Sequence, residues 1–72
     1  MTQELYSVQL SIVKEMEEDI RVIEHDFETF KEAETFYTQL HDGIVYQGGI
    51  KFITELINYS DDSANVIFRD IV

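Results

Sequence analysis

The chain predicts an α+β fold of order ββαββ, a four-stranded, mostly antiparallel sheet with one helix packed on one face. Three observations lead there. Residues 5–13 alternate between apolar and polar side chains. A helix-capping pattern opens at Thr29 and leads into an apolar stripe of helical period. Residues 65–72 read as a strand, and the turn before them joins them to another β-rich run.

In the first run Tyr6, Val8, Leu10 and Ile12 fall on one side and Ser7, Gln9 and Ser11 on the other. That is the period of a half-buried strand. The acidic stretch Glu15-Met16-Glu17-Glu18-Asp19 interrupts it, and residues 20–27 form a second β-rich run. The pair predicts a hairpin with an acidic tip. Val22 and Ile23 are adjacent apolar residues, which calls for a bulge or for burial on both sides.

Thr29 with Glu32 three residues on makes a capping box, in which the Thr hydroxyl takes the Glu32 N–H and Glu32 reaches back. Phe30, Ala33, Phe36, Tyr37 and Leu40 then recur at helical spacing. Asp42-Gly43 supplies the stop, with glycine able to adopt a left-handed conformation. Residues 44–47 are a short apolar patch before the Gly48-Gly49 turn.

Residues 51–59 admit two readings. Lys51, Thr54, Glu55 and Asn58 have helical spacing, yet Ile, Phe, Thr and Tyr dominate and favour a strand. A turn at residues 60–64 followed by a strand makes a hairpin the more economical choice, with a bulge near Leu56-Ile57. One helix covers only one face of such a sheet. Val13, Ile23, Ile53, Ile57, Ile67 and Ile71 are then expected on a second apolar surface. Self-association or a partner protein would cover it, unless residues 44–49 fold across it.

Seventy-two residues bound this to one domain, 1–72, with a small core. There is no cysteine, so neither a disulfide nor a Cys-based zinc site can staple it. No run approaches the ~20 apolar residues of a membrane span. The start Met1-Thr2-Gln3-Glu4 lacks the basic and apolar regions of a signal peptide. The expectation is a cytoplasmic domain that engages no membrane.

Fifteen acidic residues face five basic ones, a net charge of −10. Such a field repels nucleic acid and attracts basic surfaces. Residues 15–34 hold nine acids against Arg21 and Lys31, −7 in twenty residues, whereas the other 52 contribute −3. The hairpin tip, the polar side of the second strand and the helix start are therefore expected to form one negative ridge. Its contact residues are Glu15, Glu17, Glu18, Asp19, Glu24, Asp26 and Glu28. Tyr46 and Tyr59, near turns, are added as amphipathic contacts.

Catalytic chemistry finds little support. His25-Asp26 and His41-Asp42 lack the further ligands of a metal hydrolase, and in a strand His25 and Asp26 point to opposite faces. Asp61-Asp62-Ser63 lacks the ligand spacing of an EF-hand. Gly48-Gly49 is not followed by the Lys-Ser or Lys-Thr of a phosphate loop. The expectation is no enzyme, no cofactor and no metal.

The run Phe27-Glu28-Thr29-Phe30-Lys31-Glu32-Ala33-Glu34-Thr35-Phe36-Tyr37-Thr38-Gln39-Leu40, set between hairpins, and the closing Asn65-Val66-Ile67-Phe68-Arg69-Asp70 give a chain that resembles small acidic proteins of bacteriophages and mobile elements. Anti-CRISPR and other anti-defence inhibitors are among them. The resemblance is one of class and carries over no functional residue. It implies an inhibitor or modulator, acting in the host cytoplasm, that docks on a basic surface of a nucleic-acid-acting host protein without itself binding nucleic acid. One alternative is a homo-oligomer holding a nucleotide-like ligand at a subunit interface where Lys14, Arg21, Lys51 or Arg69 converge. Another is a structural module whose acidity only keeps it dissolved.

Overall fold

The computed structural model describes residues 4–14, 18–45, 50–60 and 63–72. The elements follow the predicted order: β1 (Glu4–Lys14), β2 (Ile20–Phe27), α1 (Phe30–Asp42), β3 (Ile50–Ser60) and β4 (Ser63–Ile71). They build one sheet of order β2-β1-β3-β4. Every neighbouring pair is antiparallel, so no parallel pair remains in the mostly antiparallel sheet that was expected. The ambiguous 51–59 segment is strand throughout.

β1 and β3 are the central strands, paired from Glu4↔Ser60 to Lys14↔Ile50. The interior of β1 carries no charged side chain, which suits a strand with neighbours on both sides. The other central strand, β3, carries Lys51 and Glu55. Two ladder rows show the layering. His25, Val8, Leu56 and Phe68 run across the face that α1 covers, whereas Asp26, Ser7, Ile57 and Val66 run across the other, open face.

Both expected irregularities are present. The β1–β2 register shifts between Leu10 and Ser11, which leaves Val22 as the extra residue. Ile23 lies opposite Leu10 and follows Phe27 and His25 onto the helix face in unbroken alternation, so it does not join the open apolar surface predicted for it; the bulge precedes it and brings Arg21 opposite Ser11 on the open face. The second shift lies at Leu56/Ile57 and leaves Ile67 of β4 as the extra residue.

Thr29 caps α1. Its hydroxyl accepts the Glu32 backbone N–H at 3.3 Å and donates to the Glu32 carboxylate at 2.9 Å. The return arm of the box thus closes on the hydroxyl. At the other end Gly43 is right-handed, with φ −84° and ψ −6°, not left-handed as expected. The Gly43 N–H reaches the Leu40 carbonyl and the Ile44 N–H reaches His41. These tightened three-residue bonds satisfy the terminal carbonyls and remove the need for a left-handed residue.

Val8, Ala33 and Leu56 are fully buried and form the centre of the core. Tyr6, Phe27, Phe36, Tyr37 and Leu40 pack around them, so the predicted stripe is the face that packs. Burial of one such aliphatic side chain is worth roughly 1.5–3 kcal/mol. The chain has few of them, since only Leu10 and Ile57 join these three as buried hydrophobics among the described residues.

Candidate interaction surface

The open face divides lengthwise. β2 lines one side with Glu24 and Asp26, in register with Gln9 and Ser7. Strand geometry places such alternate residues about 6.8 Å apart. β3 and β4 line the other side with Ile53, Ile57, Tyr59, Val66 and Ile71, interrupted by the Glu55–Arg69 pair and by Lys51. Between them runs the neutral stripe of Ser7, Gln9 and Ser11.

These three polar residues are buried although no described helix or strand packs over them. Gln9 Nε2 donates to Ser7 Oγ at 3.2 Å and to the Tyr59 hydroxyl at 3.5 Å. In the ladder Tyr59 stands level with Leu5, so its ring lies along the strand to reach Gln9. It roofs part of the stripe. Tyr59 is therefore a structural strut as well as an exposed aromatic.

The expected contact residues are only partly brought together. Glu24, Asp26 and Tyr59 share the open face. Glu28 is exposed just beyond β2, and Glu18 and Asp19 are exposed just before it. Glu15, Glu17 and Tyr46 lie outside the described residues. The helix-start acids Glu32 and Glu34 sit in α1, which packs on the other face. The single ridge expected of residues 15–34 is thus divided by the sheet, because β2 and α1 occupy different layers.

Within one chain the basic residues do not gather at one point. Arg21 pairs with Glu24 at 3.3 Å, and Arg69 lies 3.9 Å from Glu55. Lys51 is in register with Val13 on the open face, whereas Lys14, opposite Ile50, takes the other face. Ile44 and Val45 border a shallow groove with Leu10, Leu40 and Phe52 on the helix side. This end of the 44–49 segment does not cross the open face, as one reading of the sequence required; Tyr46-Gln47-Gly48-Gly49 lies outside the described residues.

His25 and Asp26 do point to opposite faces. His25 stacks on Phe27, with ring centroids 4.5 Å apart, and meets Phe36 at 5.4 Å. Among the described residues no three His, Asp or Glu side chains are placed to hold a metal. No described helix is long and apolar enough to cross a membrane.

The neutral stripe is the feature that sequence reasoning passed over. Small uncharged residues at 7, 9 and 11 facing away from the apolar side were its visible signal. No protein-family model, curated protein or solved structure matches the chain.

Proposed function

We propose that the protein is a non-enzymatic binding module. It docks the open face of its sheet on a basic surface of a nucleic-acid-acting protein and competes there with nucleic acid. One observation carries this reading: Glu24 and Asp26 share a face with the exposed apolar residues of β3 and β4. Regularly spaced carboxylates steer the module to a basic cleft and exclude acidic competitors. The apolar half then supplies contact area that charge alone does not. The resemblance to small phage proteins points to a host defence protein as the target class.

The test is capture from bacterial lysate on the immobilised chain, followed by a salt gradient and by competition with duplex DNA or RNA. The expected captive is a basic nucleic-acid-binding protein, released by salt and displaced by nucleic acid. Glu24→Lys with Asp26→Lys should abolish its capture. A captive that is acidic, or that holds equally well in high salt, overturns the reading.

A further inference from the structure

We infer that the β4 edge pairs with the β4 edge of a second copy of this chain, giving a dimer with one continuous eight-stranded sheet. This goes beyond the proposed partner and does not depend on it. Every residue of β4 is exposed. Its apolar side chains are exposed on both faces of the sheet. Val66 (54%) and Ile71 (53%) stand on the open face, whereas Phe68 (38%) and Val72 (37%) follow the helix-face register. A layer laid over the open face would cover only the first pair. A neighbour that continues the sheet sideways covers both, and it takes up the backbone groups that an edge strand leaves unpaired.

Charge and stability name the occupant. The described residues of β3 and β4 carry Lys51 and Arg69 against Glu55 and Asp70; with Asp61 and Asp62 of the intervening sequence, residues 50–72 carry a net −2 of the chain's −10, so this half is only lightly charged. The other edge, β2, carries Glu24 and Asp26. Two copies joined at β4 place their lightly charged halves together and their more acidic edges at the far ends, where repulsion is least. The core is also small for a chain with no disulfide, and small domains commonly complete their burial by oligomerising. Antiparallel pairing about a two-fold axis normal to the sheet puts both helices on one side. It also joins the open-face rows Ile53, Ile57, Val66 and Ile71 of the two copies into one strip, with the β2 edges at its outer borders.

Two measurements on the unmodified chain test this. Light scattering at roughly 100 μM, well above the micromolar range of a moderate dimer, should give twice the 8.5 kDa chain mass. Amide hydrogen exchange should show protection at the β4 N–H groups that point away from β3, at the level of the central strands, while the outward amides of β2 exchange freely. Val66→Lys with Ile71→Lys should return the mass to that of one chain, or unfold the protein if the monomer is not viable. A single-chain mass at this concentration overturns the inference. So does a dimer whose outward β4 amides exchange as fast as those of β2, because its contact then lies elsewhere.

Discussion

His41 Nε2 lies 2.5 Å from Asp70 Oδ2, which ties the last turn of α1 to the edge strand β4. The hydrogen bond to Asp70 holds the imidazole pKa above its ordinary value. Partial desolvation opposes it, and Asp42, 3.6 Å from Nδ1, adds to it. A folded value above the unfolded one means that this contact stabilises fully below about pH 6.5 and fades as pH rises through the higher folded value. The urea midpoint of the wild type should therefore fall between about pH 6 and about pH 8 by more than that of His41→Gln. Equal slopes in the two proteins would show that the contact contributes nothing.

The Tyr37 and Thr54 hydroxyls are 3.0 Å apart where α1 crosses β3, and Thr54 is fully buried. Tyr37→Phe leaves the Thr54 hydroxyl without its partner and should cost about 1–3 kcal/mol. Once Thr54→Val has removed that hydroxyl, the further loss of the Tyr37 hydroxyl should cost less. Denaturant unfolding of the two single variants and the double variant measures the coupling. Strict additivity would mean that the bond adds nothing to stability.

Leu56 is fully buried at the centre of the sheet, opposite Val8 and Phe68. Leu56→Ala should destabilise by roughly 2–5 kcal/mol, a large part of what so small a core supplies. Thermal unfolding should show a sharply lowered midpoint or no cooperative transition. Leu56→Met, which keeps the volume, should cost less than ~1.5 kcal/mol.

Thr29→Ala removes both arms of the cap and should cost about 1 kcal/mol, whereas Thr29→Ser should retain most of it. Helical circular dichroism and the unfolding midpoint check this together. A neutral Thr29→Ala would show that α1 is held by its packing alone.

The division of the acids between two layers separates their roles. Charge reversal at Glu24 and Asp26 should weaken binding to the basic partner at least tenfold and flatten its salt dependence. Reversal at Glu32 and Glu34, on the helix side, should change affinity less than threefold. Titration of purified partner by calorimetry at two salt concentrations measures both. A larger loss from the helix pair would move the docking surface to the other face.

Much of the fold was legible because it rests on local rules. Alternation at Tyr6, Val8, Leu10 and Ile12 marked the face of β1 that meets the helix. Thr29 and Glu32 marked the start of α1 to the residue. The pair Val22-Ile23 marked a break in alternation, and a bulge is there. Which of the two was the extra residue was not legible: it is Val22, so Ile23 keeps the alternation of Phe27 and His25, and it is Arg21 and Ile20 that change face. Gly43 misled for a related reason. Glycine permits a left-handed stop, but the hydrogen bonds of the last turn decided that none was needed.

The candidate surface was legible in part. The sequence by itself determined that the acids cluster between residues 15 and 34 and that the second hairpin is apolar and lightly charged. Composition along a chain is a one-dimensional property and needs no fold to be read. Only the tertiary structure decided that β1 lies beside β3, which sends β2 to one edge and β4 to the other. Strand order rests on pairing between residues tens of positions apart, from Glu4 with Ser60 to Lys14 with Ile50. That arrangement put Glu24 and Asp26 on one face with Val66 and Ile71, and moved Glu32 and Glu34 away from them.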